Sequence, residues 1–461
     1  MTSIVLLAGI GIGITAAIAL FFVFMSGTIL ENGVSGPKLS DPYEQSMEIE
    51  TVAEGLSLPT SMEFVDNGNI LVLEKDHGTV RLVSSLNGIL EKEPVLKLEV
   101  ENEAERGLLG VAILNDNSAR NNKYSIKNND SADNRSSMNK ESTPKVFLYF
   151  TEESEYENEN RQQIPKNKVL SYEWNKQNKS LVNSKLILDL PAEPGPYHQG
   201  GKLKIGPDNN LYVVIGDLNT IMGQLQNHKN GTGPNNSSII LRVNPDNGSP
   251  AEDNPFVGID GLSRYYAYGV RNSFGIDFDP ITGNLWETEN GEENYDELNI
   301  VEPGFNSGWA KVMGPISRNN LTDKESLVDF PGSEYSDPAF SWKEQIGVTD
   351  IEFFNSSKLG MGCANNIFIG DINNGNLYYL KINQNRTGID FVGEENKNRH
   401  HKSDNIQASL QQDLVADNKD ELTKITFGTD FGRVTDIETG PDGFLYVLSY
   451  EDGKVYRIVN K

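Results

Sequence analysis

One local pattern recurs along this chain: an apolar strand, a turn rich in Gly, Asp, Asn or Pro, and a second apolar strand. The segments that carry it begin at Met62, Leu203, Ile276, Cys363 and Thr439. The turns near residues 208, 281, 365 and 442 lie about 70 to 85 residues apart, whereas the interval from 66 to 208 is about twice as long. Such regular spacing indicates a repeat architecture, with one unmarked unit in the long interval.

The sequence therefore predicts an all-β fold. About six units of four short strands fit the chain, and radial closure leaves few exposed strand edges. We expect a six-bladed β-propeller of four-stranded antiparallel blades over residues 47–461. A stack of separate β-sandwiches is the alternative, but it does not explain why one turn signature returns at similar intervals. Polar insertions near residues 115–143 and 391–424 interrupt the pattern and are expected to be loops.

The first 30 residues differ from the rest. Residues 2–30 contain no charged side chain, and this apolar run is long enough to cross a bilayer as one transmembrane helix. No basic residue precedes the run and no good cleavage site follows it, so residues 1–30 are expected to be an uncleaved membrane anchor, with a cleaved signal as the alternative. Residues 31–46 are then a tether, and the propeller is expected on the extracytoplasmic side of the membrane or, alternatively, secreted.

Charge and composition restrict the partners. The formal net charge of −26 argues against nucleic acid or an anionic membrane surface, because either would repel the chain at long range. The single cysteine, Cys363, excludes an internal disulfide framework. The large side chains Met222, Trp286, Trp309 and Trp342 are interpreted as packing residues.

A candidate acid–base pair is formed by His198 and Asp217. His198 stands just before a Gly-Gly turn and a strand, and Asp217 ends the next strand. A hairpin would bring the two together, so that Asp217 orients the imidazole as a general base. The alternative is a loop histidine with no chemical role, and the sequence alone leaves both interpretations open.

Three further positions carry candidate binding groups. Arg271 and Asn272 begin a strand and can bind carboxylate or carbonyl oxygens in a central cavity, unless Arg271 caps carbonyl groups between blades. Arg433 precedes another strand and has the same two interpretations. Residues 289–297 place five carboxylates around Gly291, which indicates a calcium site or a solvated turn.

Together these motifs resemble a known family. The sequences RGLLGVAI from Arg106, YHQGGKLKIGPDNNLYVVIGD from Tyr197 and YGVRNSFGIDFDP from Tyr268 are similar to those of the soluble glucose/sorbosone dehydrogenases, which include aldose sugar dehydrogenases. The resemblance covers roughly residues 50–459. It implies a six-bladed propeller that binds pyrroloquinoline quinone (PQQ) and calcium in its central mouth. The implied reaction oxidises the anomeric carbon of an aldose to a lactone and passes electrons to an acceptor that the sequence does not identify.

The resemblance also implies a role for each candidate. His198 would remove the sugar hydroxyl proton as hydride leaves for the quinone, and Asp217 would support it. The calcium ion would be held by the main-chain carbonyls of Gly291 and Glu292. The implied cofactor contacts are Glu105, Arg271, Asn272 and Arg433.

Four positions depart from the family pattern. Glu292 replaces a Pro, Asn373 a Lys, Thr435 an Arg, and Glu105 a Gln that commonly contacts the cofactor. A tricarboxylate ligand would therefore meet fewer positive groups and one more negative group. Two alternatives stay open: a calcium-dependent lactonase on the same architecture, and a calcium-binding propeller that has lost PQQ chemistry and binds a glycan or a partner protein.

Overall fold

The computed structural model describes residues 36–115, 143–153, 164–319, 324–391, 410 and 413–461. The predicted membrane anchor at 1–30 and nearly all of the predicted 115–143 insertion lie outside these ranges. Across the ranges that are described, no helix is both long enough and apolar enough to span a bilayer.

The strands are short, and many of them are buried at every position, as Leu211–Ile215, Ile239–Val243, Leu285–Glu289 and Leu445–Ser449 are. In chain order they are β1 (Lys38–Leu39), β2 (Met47–Glu54), β3 (Pro59–Asp66), β4 (Asn69–Glu74), β5 (Thr79–Ser84), β6 (Ile89–Leu90), β7 (Leu96–Lys97), β8 (Leu108–Leu114), β9 (Lys145–Glu152), β10 (Lys166–Asn175), β11 (Ser180–Pro191), β12 (Leu203–Ile205), β13 (Leu211–Ile215), β14 (Ile239–Val243) and β15 (Tyr265–Tyr268). They continue as β16 (Ser273–Phe278), β17 (Leu285–Glu289), β18 (Asp296–Val301), β19 (Phe305–Asn306), β20 (Glu334–Tyr335), β21 (Phe340–Trp342), β22 (Val348–Phe353), β23 (Ile367–Asp371), β24 (Leu377–Leu380), β25 (Val415–Ala416), β26 (Thr426–Thr429), β27 (Val434–Thr439), β28 (Leu445–Ser449) and β29 (Lys454–Asn460). A short α-helix, α1, spans Lys419–Ile425, and 3-10 turns span Tyr43–Gln45, Gln224–Gln226, Ile316–Arg318 and Lys324–Ser326.

Within the described part of the chain these strands form six sheets. Their orders are β3-β4-β5-β6 with β7 beside β5, β11-β10-β9-β8, β12-β13-β14-β15-β19-β20, β16-β17-β18-β21-β25, β1-β26-β24-β23-β22 and β2-β29-β28-β27. Only two of the sheets keep the predicted four strands. The others gain short outer strands, and three of those pairings, β15-β19, β19-β20 and β21-β25, are parallel. The prediction of uniformly four-stranded antiparallel blades was therefore wrong in detail.

One edge strand of each sheet belongs to an inner ring. In chain order the ring strands are β3, β8, β12, β16, β22 and β27, and each contacts the next, while β27 contacts β3. Radial closure protects the inner edge of every sheet. The predicted all-β propeller is confirmed.

The repeated turn seen in the sequence joins the ring strand of a sheet to its second strand. It connects β3 to β4, β12 to β13, β16 to β17, β22 to β23 and β27 to β28. In the remaining sheet β8 pairs with β9, but residues 115–144 lie between them. The insertion replaces the turn, which explains the double interval in the sequence.

The two ends of the described chain meet in one sheet. β2 pairs antiparallel with β29, so that Met47 lies opposite Asn460 and Glu54 opposite Lys454. The preceding segment was predicted to be a tether through residue 46, but β1 pairs with β26, and the Tyr43 ring lies 4.2 Å from that of Phe427. Burial of Leu39 and Tyr43 against the sheet fixes this part of the chain.

The end of the predicted 391–424 insertion is also folded. β25 pairs with β21, and α1 follows directly. The side chain of Asn418 accepts the N–H groups of Asp420 and Glu421, which satisfies donors that a helix start otherwise leaves open. Residues 392–409 of this insertion lie outside the described ranges.

Carboxylates on the ring strands connect neighbouring sheets. Each accepts a main-chain N–H from the next ring strand: Asp277 from Phe353 at 2.8 Å, Asp350 from Ile437 at 3.0 Å, Glu352 from Thr439 at 3.0 Å, and Asp436 from Met62. Each of these hydrogen bonds also satisfies a main-chain N–H that would otherwise be buried without a partner, so these side chains fix the order and spacing of the ring.

Two buried lysines lie among these acids. Lys202 Nζ is 2.7 Å from Asp350 Oδ1 and 2.7 Å from Asp436 Oδ1, and Lys204 Nζ is 3.0 Å from Asp277 Oδ1. They are outnumbered by the acids of the ring strands. Burial, partly opposed by the lysines, raises the pKa of Glu63, Asp350 and Glu438, and raises that of Glu352 to about 8.

Candidate active site

The ring strands all begin at one end of the propeller, here called the mouth. Side-chain hydrogen bonds join the starts of neighbouring ring strands: Thr349 Oγ1 donates to Val434 O, Thr435 Oγ1 to Pro59 O, and Thr60 Oγ1 to Leu108 O. Because second strands run antiparallel to ring strands, the second strands end at the mouth. Segments that precede ring strands or follow second strands therefore meet there, and they hold the predicted site residues: Glu105, His198, Asp217, Arg271, Asn272, Gly291, Glu292 and Arg433.

The predicted pair of His198 and Asp217 is formed. His198 Nδ1 lies 2.7 Å from Asp217 Oδ1, with Asp217 fully buried and the His198 side chain 16% exposed. An ionised carboxylate only accepts hydrogen bonds, so Nδ1 carries the proton and Nε2 keeps its lone pair. The second oxygen, Asp217 Oδ2, accepts the indole N–H of Trp309 at 2.7 Å. The imidazole is thereby held in the tautomer that a general base needs.

The backbone at His198 is constrained. His198 has a φ of 60°, a left-handed conformation that is uncommon for a side chain other than glycine and that persists when neighbours fix it. Gly216 makes the packing possible, because a Cβ at this position would lie 2.4 Å from His198 O and 2.7 Å from Arg271 O. Three segments of the mouth thus meet at one glycine.

Glu105 ties two of these segments together. Its Oε2 accepts the N–H of His198 at 2.8 Å, the N–H of Gln199 at 3.3 Å and the side-chain amide of Asn272 at 3.1 Å. The residue is half-buried. The base and Asn272 are therefore positioned by the same carboxylate.

Arg271 combines the two interpretations offered by the sequence. Its Nη1 donates to Asn290 O at 3.0 Å, which is the capping contact, and its guanidinium lies 5.3 Å from the centre of the Trp309 ring. Its Nε, however, is buried without a hydrogen-bond partner, and so is Asn272 Oδ1. Buried polar atoms are nearly always paired, so one donor and one acceptor beside His198 are open for a ligand.

A buried glutamate lies beneath Arg271. Glu289 Oε1 accepts the main-chain N–H of Arg271 at 2.6 Å, and Oε2 accepts the hydroxyl of Ser307. Burial raises the pKa of Glu289 to about 7, although both hydrogen bonds oppose the shift. The carboxyl group of Glu289 therefore gains or loses its charge near neutral pH.

The Gly291 loop is held from both sides. Gly291 N donates to Asp296 Oδ1 at 3.0 Å, and Gly291 O accepts the side-chain amide of Gln345 at 2.6 Å. A carbonyl oxygen has two lone pairs, so one remains for a cation. The Glu292 side chain is exposed. Among the described residues no group of three or more His, Cys, Asp or Glu side chains has a metal-binding arrangement, and calcium at this loop stays a prediction.

Comparison with known proteins identifies the family of this chain. Residues 56–457 match the model of the Glucose / Sorbosone dehydrogenase family. The chain belongs to this family. The family prediction made from the sequence is confirmed, and with it the prediction that the chain is an enzyme.

Two relatives illustrate how this chain compares with named dehydrogenases. Aldose sugar dehydrogenase YliI of Escherichia coli (strain K12) is 26% identical over 274 residues, which are 57% of this chain and 60% of that protein. Quinoprotein glucose dehydrogenase B of Acinetobacter calcoaceticus is 25% identical over 287 residues, covering 59% of this chain and 54% of that protein. The match therefore spans little more than half of each relative. The PQQ-bound form of aldose sugar dehydrogenase from Streptomyces coelicolor is 20% identical with a TM-score of 0.60, covers 92% of this chain and 100% of that one, and shows the same fold.

Arg433 of this family member is set apart from the other candidates. Its side chain is 55% exposed, and its Nε lies 3.8 Å from Glu451. No hydrogen bond found in the described part of the chain joins its side chain to His198 or Arg271. Thr435 directs its hydroxyl to Pro59 O at 2.9 Å, and Asn373 is exposed. Of Arg433, Thr435 and Asn373, only Arg433 therefore offers a positive group, and that group is exposed.

Trp309 was missed as a site residue. It was expected to pack, and it is only 4% exposed, but its indole N–H is committed to Asp217. Trp286 and Trp342 are buried as expected, whereas Met222 is 61% exposed and the packing prediction for it was wrong. No sequence signal identifies Trp309, since its partner lies 92 residues earlier in the chain.

Proposed function

We propose that this chain is a PQQ-dependent dehydrogenase that oxidises the anomeric carbon of an aldose to a lactone. The observation that carries the proposal is the 2.7 Å contact between His198 and Asp217 beside the unpaired Nε of Arg271 and Oδ1 of Asn272. A base next to an open donor and an open acceptor is what transfer of hydride and proton from a sugar to a quinone requires. The named relatives and the PQQ-bound neighbour support the choice of chemistry.

The roles of the residues follow from their contacts. His198 Nε2 takes the proton of the anomeric hydroxyl, while Asp217 orients the ring and stabilises the imidazolium that forms. Arg271 and Asn272 would hold the cofactor, and the positive charge of Arg271 would stabilise negative charge that develops on it. PQQ, when bound, supplies the hydride acceptor of the reaction.

Two further parts of the proposal concern binding at the rim. Arg433 is free to move toward a cofactor carboxylate, and the main-chain carbonyls of Gly291 and Glu292 are the proposed calcium ligands. The rim offers few positive groups to a tricarboxylate. Asn373 and Thr435 carry no charge, and Glu105 adds a negative one. We therefore expect weak cofactor retention during purification.

The finer architecture and location belong to the same proposal. The six sheets are taken as the six blades of the propeller. Residues 1–30 are proposed to anchor it in a membrane with the propeller on the extracytoplasmic side, which gives the enzyme direct access to extracellular sugars. Protease protection of the propeller in intact cells would contradict that orientation.

The test is reconstitution of the full-length protein with PQQ and calcium, followed by dye reduction with a panel of aldoses. Sugar-dependent reduction that needs PQQ is expected. His198→Ala should lower kcat by about two to four orders of magnitude and leave the Kd for PQQ nearly unchanged. The exposed His77 provides the matched control, since His77→Ala should retain wild-type turnover.

A second candidate is a propeller that binds a glycan without redox chemistry. The hydroxyl of Thr435 is already bonded to Pro59 O and Arg433 lies apart from the base, and both observations favour this candidate. This candidate would be supported by three results together. The folded protein would not bind PQQ, it would not reduce the dye, and it would bind oligosaccharides in a glycan array. No observation in the described residues favours the lactonase alternative.

A further inference from the structure

Trp309 occupies an unusual position in the mouth. Its indole N–H donates to Asp217 Oδ2 at 2.7 Å, and the guanidinium of Arg271 lies 5.3 Å from its ring centre. One side chain therefore contacts both the carboxylate that supports the base and the arginine beside the open ligand positions. Packing alone does not require either contact.

The indole is fixed by its own main chain. Trp309 N donates to Gly269 O at 3.1 Å, and Trp309 O accepts the side-chain amide of Asn227 at 2.7 Å. Asn227 in turn donates to and accepts from Asn306 at 2.9 Å. A ring held this way presents its N–H in one direction, which is the condition for positioning another group.

We propose that Trp309 is a positioning residue, which sets the orientation and the charge of Asp217 and, through Asp217, the proton affinity of His198. The proposal rests on the proposed role of His198 as the base. Trp309 does not need to touch the sugar or the cofactor for this role.

The physical argument is the distribution of hydrogen bonds on Asp217. Oδ1 accepts from His198 and from Asn219 N, at 2.7 Å each, and Oδ2 accepts only from Trp309 among the described residues. Loss of the indole donor concentrates the negative charge of the carboxylate on its contact with His198. That contact stabilises the imidazolium, so the pKa of His198 rises when the donor is removed.

Removal of the indole N–H leaves the other charged groups around His198 in place. Glu105 contacts the main-chain N–H of His198, and Arg271 lies across the Trp309 ring. Glu289 contacts the main-chain N–H of Arg271. A ring that lacks only the N–H keeps all three groups in place, so the effect of the donor can be separated from theirs.

The decisive variant is Trp309→Phe, which keeps an aromatic face under Arg271 and removes the donor. The pKa of His198 is measured by NMR of the histidine ring in the full-length protein without cofactor. We expect the pKa of His198 to rise, with a change of roughly threefold to tenfold in the protonation equilibrium. In the reconstituted enzyme the acid limb of kcat/KM against pH should move to higher pH by the same factor.

Trp286→Phe is the matched control. Trp286 is fully buried and its indole nitrogen has no hydrogen-bond partner, so this variant loses similar packing but no donor to Asp217. It should leave the pKa of His198 and the acid limb unchanged. Equal shifts in both variants, or no shift in Trp309→Phe, would overturn the proposal.

A measurement on the wild-type protein decides the question if Trp309→Phe does not fold. With 15N-labelled indole groups, the Trp309 Nε1–H signal should titrate together with His198, whereas that of Trp286 should not. An invariant Trp309 signal would make it a packing residue only. If the two signals titrate together but the protein has no dehydrogenase activity, the coupling between Trp309 and His198 stands and the proposed reaction is rejected. The failure of this inference can therefore be told apart from the failure of the proposed function.

Discussion

Glu105 illustrates how a single side chain can satisfy the local structure and still change the ligand chemistry. Three N–H groups converge on one of its oxygens. A glutamine could accept the same three bonds through its amide oxygen. The carboxylate is therefore not required by these contacts, and what it adds is a negative charge beside Asn272.

This predicts the effect of Glu105→Gln on cofactor binding. Removing the charge should lower the Kd for the anionic PQQ by about tenfold, which corresponds to roughly 1.4 kcal/mol. Titration calorimetry on the full-length protein measures the change. Glu103→Gln is the control, because the Glu103 side chain is 67% exposed, and it should leave the Kd as it is. Unchanged or weaker binding by Glu105→Gln would show that the carboxylate is not a repulsive group.

At the residue scale, the sequence was enough to predict the site residues that lie next to the end of a strand. His198, Asp217 and Asn272 could be placed because the hairpin and the ring bring strand ends to one rim. The Trp309 contact could not be placed, because it depends on how the loop after β19 folds back across the mouth. Likewise, nothing in the sequence indicated that Gln345 would bond to the Gly291 carbonyl.

At the level of elements, the β17–β18 connection is the best-defined part of the mouth. Asp296, the first residue of β18, accepts Gly291 N through Oδ1 and the N–H groups of Ile346 and Gly347 through Oδ2, at 2.8 and 2.7 Å. One carboxylate thus holds the proposed calcium loop against the segment that leads into β22.

Asp296→Asn should therefore be destabilising. The amide has one acceptor instead of two and directs its own N–H groups at main-chain donors. We expect the free energy of unfolding to fall by about 3 kcal/mol, measured by urea denaturation. Glu292→Gln, an exposed change in the same loop, should stay within about 0.5 kcal/mol of the wild type. Similar losses in the two variants would mean that Asp296 does not hold the loop.

Strands could be predicted from the sequence where the apolar pattern extends over several residues. Hairpins such as β12–β13 and β27–β28 combine alternating apolar residues with a turn, and the sequence identified them. The short strands β19, β20 and β25 have two residues each, too few for any periodicity. They pair because the surrounding loops pack onto the outer edge of a sheet, and that is a tertiary effect.

On the scale of the whole molecule, closure of the propeller depends on β29. It pairs with β2 on one side and with β28 on the other. A chain that ends at Gly453 loses this strand and leaves two edges unpaired. Circular dichroism should show no cooperative thermal transition for this truncation, whereas removal of Lys461 alone should preserve it. A cooperative transition in the shorter chain would show that closure is not required.

The ring of carboxylates predicts how stability depends on pH. The pKa of Glu352 is raised by burial to about 8 from an ordinary value of 4.5. Because the folded pKa is the higher one, the stabilisation is fully present below pH 4.5 and is lost as the pH rises through about 8. Glu352→Gln cannot ionise, so its free energy of unfolding should fall less steeply between these limits. Urea denaturation across this range tests the prediction, and parallel curves for variant and wild type would contradict it.

The same buried acids affect the heat of unfolding. The formal charge of −26 counts every Asp and Glu as ionised, yet burial raises the pKa of Glu63, Asp350 and Glu438 in the folded protein. Each of these groups binds its proton more tightly in the folded protein than in the unfolded chain, so unfolding near neutral pH releases protons to the surrounding buffer. The calorimetric enthalpy at one temperature will therefore depend on the ionisation heat of the buffer, and the slope of that dependence counts the protons that the axis of the propeller had retained.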